Sequence, residues 1–209
     1  MTRKKGQMFL IATIFILIGF FTIRSMLGIY DFFEEKRSLE IITDDLQARN
    51  IEKEYEYVAG IASMQSNVSN AARDYLFNFS SFVRDFADAR SFYFFAYSNS
   101  TTGKYTIVLG NFLNDNMNVS VAATNSEPPL SQFTLSDRKN YTEIFGFTSN
   151  GTVSLTITYT TMNDNKREVL NLTVRDTTHF FAIFTDIKME ENNIRVRRKN
   201  IYNRTWRVP

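Results

Sequence analysis

The sequence predicts an α+β protein: a long N-terminal transmembrane helix continuing into an amphipathic helix, then an antiparallel β-sandwich of seven or eight strands. Three observations predict it. From Met8 to Ile23 every residue is apolar, Gly, Ala or Thr. Apolar residues then recur at steps of three and four as far as Phe86, the spacing of one helix face. From residue 91 the period falls to two and turn residues recur every 8 to 14 positions, the pattern of a sandwich or barrel.

The apolar run comes first. Its sixteen residues span about 24 Å as a helix, against about 30 Å of bilayer hydrocarbon. Met26, Leu27, Ile29 and Tyr30 would extend it, with Arg24 snorkelling. Arg3, Lys4 and Lys5 flank the other end, and the positive-inside rule places them in the cytoplasm. The expectation is therefore a single-pass membrane protein, N-terminus cytoplasmic and C-terminal domain extracellular, with the lipid bilayer as a partner. The exit, "FFTIRSMLGIYDFF", has no small-residue cleavage site of the secretory kind. A helical pattern continues through "DFFEEKRSLEIITDDLQARN" without Pro.

Lys4-Lys5-Gly6-Gln7, standing before such a run, resembles the class III signal of archaeal type IV pilins and archaellins. The resemblance covers roughly the first 30 residues. It implies cleavage by a prepilin peptidase between Gly6 and Gln7. It also implies retention of the apolar helix, first as an anchor and then as the packing core of a surface filament. A helix apolar all round must be buried in lipid or against copies of itself. Many type IV pilins carry Glu at the fifth position of the mature chain; counted from Gln7, that position is Ile11. The alternative is an uncleaved single-pass anchor displaying a β-sandwich adhesion or ligand-binding module.

The organisation read from the sequence is a basic leader (1–6), a transmembrane and assembly helix (7–30), a polar helical stalk (31–60), an amphipathic helix (61–90) and an extracellular sandwich (91–209). In the stalk, Leu39, Ile42, Leu46, Ile51 and Tyr55 form a thin apolar stripe, and Gly60 marks a kink or boundary. In the next helix the stripe reads Ile61, Met64, Val68, Ala72, Tyr75, Phe79, Phe82, Val83 and Phe86. Among the strands, "TVSLTITYTT" alternates Val153, Leu155, Ile157 and Tyr159 with Ser and Thr, whereas "THFFAIFTDI" is apolar on both faces. "NSEPPLS" reads as a loop because it holds two of the three Pro.

Eight Asn-Xaa-Ser/Thr sequons begin at Asn67, Asn78, Asn99, Asn118, Asn140, Asn150, Asn171 and Asn203. Chance would give roughly three from this composition, so the excess points to N-glycosylation on an exported domain. Asn118 and Asn171 are expected on outward strand positions, and Asn99, Asn140 and Asn150 in or beside loops.

The remaining signals exclude more than they assign. There is no Cys and a single His, His179, which leaves little for thiolate, zinc or imidazole chemistry. A net charge of +2 does not suggest a nucleic-acid partner. "NDNMN" (114–118) and "NDN" (163–165) lack the ligand spacing of a calcium loop. No phosphate loop or catalytic elbow occurs. The expectation is a non-enzymatic structural protein without cofactor or metal. Its expected partners are the prepilin peptidase, other pilin-like subunits or copies of itself, and a cell-surface layer. The basic run Arg195 to Arg207 reads either as contact with an acidic partner or as a charged, protected edge strand.

Overall fold

The computed structural model describes residues 2–99, 103–124, 126–127, 130–147, 152–161, 167–175, 179–191 and 194–206. The chain runs α1 (Thr2–Ser63), α2 (Val68–Phe86), β1 (Arg90–Asn99), β2 (Lys104–Phe112), β3 (Met117–Ala123), β4 (Ser126–Glu127), β5 (Leu130–Leu135), β6 (Lys139–Phe147), β7 (Thr152–Thr161), β8 (Arg167–Arg175), β9 (His179–Glu191) and β10 (Ile194–Trp206). It divides into two units, Met1–Asp44 and Asp45–Pro209.

The first unit is helical, and Ile18, Ile23, Leu39, Ile41 and Ile42 are exposed on it. Among the described residues, no helix is long and apolar enough to cross a membrane. The expected transmembrane helix, and the single-pass localisation with its cytoplasmic N-terminus and extracellular domain, are overturned by that finding. The physical reason is length. Arg24 ends the apolar run after sixteen residues, short of the roughly 20 that a span requires.

The second unit is built on two antiparallel sheets. One has the order β10-β9-β1-β2-β6-β4, the other β5-β3-β7-β8. Their facing sides share one core: Phe92, Phe94, Tyr105, Ile107, Leu109, Phe145, Phe180 and Phe184 from the larger sheet meet Met117, Val119, Val121, Leu155, Ile157 and Tyr159 from the smaller. A second core lies on the outer side of the larger sheet. There Ala48, Ile51, Tyr55, Ala59 and Ala62 of α1 and Val68, Ala72, Leu76 and Val83 of α2 cover Tyr93, Phe95, Val108, Phe112, Phe181, Ile183 and Ile187. Helices outside and a sheet inside explain why β1, β2 and β9 are buried on both faces.

Several expectations change in detail. Among the described residues the strands number ten rather than seven or eight, because "NSEPPLS" contributes Ser126–Glu127 and the start of β5. The stalk stripe is shifted: Leu39, Ile42 and Leu46 are exposed, and the buried seam is Ala48, Ile51, Tyr55, Ala59 and Ala62. Three of the five residues of that seam are alanine, so it buries little apolar volume. Gly60 lies inside α1 and causes no break; the break falls at residues 64–67, where Asn67 caps α2 by accepting a hydrogen bond from Asn70 N. The α2 seam is Val68, Ala72, Leu76, Ser80 and Val83, while Tyr75, Phe82 and Phe86 are exposed and the last two stack at 5.2 Å.

Candidate functional site

Arg3, Lys4, Lys5, Gly6 and Gln7 lie in the first turns of α1. The Gly6–Gln7 bond is thus helical, and a peptidase would have to unwind it locally; Gly6 lowers that cost because glycine weakens a helix.

The sequons divide by what their amides do. Asn78 and Asn203 are exposed on α2 and β10. Asn67 and Asn118 are also exposed, and each uses only its carbonyl oxygen, accepting from Asn70 N at 3.2 Å and from Thr134 Oγ1 at 2.9 Å. A glycan attaches at Nδ2, so these two contacts are compatible with one. Asn140 differs. It is half-buried in β6, and its Nδ2 donates to the Arg73 carbonyl of α2 at 3.4 Å. It stands beside the 136–138 turn at the start of its strand, and the nitrogen that would carry sugar is already in use. Asn99 ends β1 and Asn171 lies in β8, while Asn150 and the "NDN" at 163–165 lie outside the described residues.

Three polar constellations were not read from the sequence. The first is buried between α1, α2 and β1. Ser80 Oγ donates to the Leu76 carbonyl, so it accepts from Tyr55 Oη at 2.7 Å; the Tyr55 hydroxyl in turn accepts from Ser91 Oγ at 2.8 Å. Burial pushes the Tyr55 hydroxyl up to about 12, against the pull of its bonds to Ser80 and Ser91. Its neighbour Tyr93 is raised well above the usual tyrosine range, by burial first and then by Tyr55. No well-formed hydrogen bond closes on the Tyr93 hydroxyl; the Asn140 amide is the polar group beside it and acts in the opposite direction.

The second constellation joins α1 to β10. Arg198 Nη1 donates to Asp45 at 2.9 Å and Arg198 Nε to the buried Glu52 at 3.2 Å, while Asn200 Nδ2 donates to Glu56 at 2.8 Å. The Asp45 bond, with help from Glu52, holds the Arg198 proton more tightly than usual. The third lies between the sheets. Asp186, fully buried, accepts from Tyr159 Oη at 2.8 Å and from Arg197 Nε at 2.8 Å, and its other contact is with Arg197 Nη2.

These pairs revise the basic run. Arg195, Arg197 and Arg198 are matched within the chain by Glu190, Asp186, Asp45 and Glu52; Arg207 lies outside the described residues. One signal was available: Asp186 is a carboxylate in an otherwise apolar strand, and such a group needs a buried partner. Its identity depends on strand register, which the sequence does not display.

His179 is buried and stacks on Tyr97 with centroids 6.4 Å apart. In the 114–118 turn, Asn114 adopts φ 63° and its backbone N–H donates to Asp137 at 2.8 Å. Among the described residues no group of acidic or imidazole side chains is arranged to hold a metal. No known protein family, curated protein or solved structure matches the chain.

Proposed function

We propose that this protein is a pilin-like structural subunit that associates with copies of itself through the N-terminal part of α1, with cleavage at Gly6–Gln7 before assembly. The observation that carries the reading is the uncovered aliphatic surface of the first unit. Ile18, Ile23, Leu39 and Ile42 are 56%, 58%, 59% and 53% exposed on one continuous helix. A helix with aliphatic residues facing water gains by packing against another such helix, at about 25 cal/mol per Å² of apolar surface removed. The class III resemblance supports the same conclusion from the residues that precede the apolar run.

The full chain, analysed by sedimentation and electron microscopy, is expected to form oligomers or filaments. Leu39→Asp and Ile42→Asp should abolish them while leaving the melting temperature unchanged, because both side chains are exposed. Mass spectrometry of the native N-terminus should begin at Gln7. A chain that stays monomeric at every concentration, with Met1 intact, would sink the reading.

A further inference from the structure

α2 buries Val68, Ala72, Leu76, Ser80 and Val83 and turns a second set of large side chains to water. Tyr75, Phe82 and Phe86 are 41%, 57% and 80% exposed. With the exposed Asn78 they are spaced by three, four and four residues, which sets all four in one row along the helix. Asn78 is the one position of that row without an aromatic ring. Helical side chains lean toward the N-terminus of their helix and cover the turn before their own Cα. Phe86 therefore meets Phe82, with ring centroids 5.2 Å apart and planes 11° from parallel, and Phe82 leans over the turn that bears Asn78. Tyr75 stands one turn nearer the N-terminus, so Asn78 has a ring on either side.

At 100° per residue, Asp74 and Asp85 border the row on one side, paired with Arg73 and Arg138. An apolar patch with a charged border marks a surface that another group covers. Asn78 says which group. It opens the sequon Asn78-Phe79-Ser80, and a sugar carried there rises from within the row. A flat protein or lipid surface could not then reach the rings beside it. The Ser80 hydroxyl that completes the sequon is fully buried and bonded to Tyr55. The sugar is therefore added before α2 packs, and is in place when the rings would otherwise be bare.

We propose that the occupant of this aromatic row is the chain's own glycan on Asn78, its first pyranose seated against Phe82 and Tyr75. A pyranose suits the place. One face presents C–H groups, which remove ring surface from water, while the hydroxyls at its edge stay solvated. The glycan thus serves as the outer cover of α2, as the larger sheet serves as the inner one. The inference rests on glycosylation of Asn78 and not on self-association through α1.

The test uses the native glycosylated chain. Peptide mapping should find Asn78 occupied. In NMR spectra the protons of its first sugar should lie upfield, shifted by ring currents, and return to their usual positions in Phe82→Gln. Asn78→Gln removes the sugar alone; Ser80→Ala is no substitute, because it also removes a partner of Tyr55. Phe82→Gln should lower the melting temperature of the glycosylated chain by about 2–4 °C and leave that of the Asn78→Gln chain unchanged. Non-additivity of this kind reports a contact. Unmodified Asn78, or a Phe82→Gln shift that is equal in both backgrounds, overturns the proposal. So does self-association that Phe82→Gln disperses, which assigns the row to a second copy. That outcome is distinct from association through α1, which Leu39→Asp and Ile42→Asp report.

Discussion

Tyr93 and Gly110 face each other across β1 and β2, and a Cβ on Gly110 would fall 2.1 Å from the Tyr93 ring. The ring is fully buried and packs beside Tyr55 at a centroid distance of 6.2 Å, so it has nowhere to move. Gly110→Ala should cost about 3 kcal/mol by overpacking. Most of that cost should vanish in a Tyr93→Leu background, which a double-mutant cycle in denaturant reads directly. Gly60 predicts the opposite sign. A Cβ there meets Phe181 Cζ at 3.9 Å, an ordinary contact, and Ala is the better helix former. Gly60→Ala should raise stability by about 0.5–1 kcal/mol.

Arg198 is the partner of a carboxylate with almost no access to water, the Glu52 side chain being 6% exposed. Arg198→Ala leaves that charge uncompensated and should cost about 2 kcal/mol, below the usual figure for a deeply buried pair because Arg198 keeps some solvent contact. Adding Glu52→Gln should recover roughly half of the loss. Chemical denaturation of the two variants at equal ionic strength checks both values.

Tyr55 makes the protein sensitive to alkali. Its hydroxyl titrates near about 12 in the folded chain and near about 10 when unfolded. The folded state thus holds the proton more firmly. The stability this contributes is complete below pH about 10 and is lost as pH rises through about 12, roughly 3 kcal/mol in all. Tyr55→Phe should flatten the alkaline slope, leaving the part due to Tyr93. At neutral pH it should cost about 1–2 kcal/mol, since Ser91 loses its acceptor. Unfolding midpoints from pH 8 to about 12, with phenolate absorbance as the second probe, separate the two effects.

Sugar occupancy should follow the amide nitrogens. Peptide mapping of the native protein is expected to find glycan on Asn78, Asn203, Asn67 and Asn118 and none on Asn140. The usual Asn→Gln replacement would mislead at Asn67, because it also removes the cap of α2, worth about 1 kcal/mol. Ser69→Ala removes the sequon alone and should leave the melting temperature in place.

The strands were legible where burial is one-sided. In β7, Leu155, Ile157 and Tyr159 are buried while Thr156, Thr158 and Thr160 are half-exposed, so period two survives in the sequence. β5 was hidden by the Pro residues before it. The helix seams are not legible from hydrophobicity, because burial on these helices does not follow it. Ala48, Ala59 and Ser80 are fully buried and are among the least apolar residues of their stripes, whereas Phe82 and Phe86 are large and exposed. The row of cations across β1, β9 and β10 was not legible at all. Arg90, Lys188 and Arg197 are ordinary strand charges until register sets them side by side, and the pairing of Arg90 with Lys188 spans nearly a hundred residues.

The bonds from β10 to α1 bear on how the chain is made. Glu52 is made before its partner Arg198, which lies 146 positions further on. Throughout that interval the helix carries a carboxylate on the face that must pack, and the charge is answered only once β10 has been made. The seam between α1 and the larger sheet therefore closes late, as a fastening that a chain interrupted before β10 could not make.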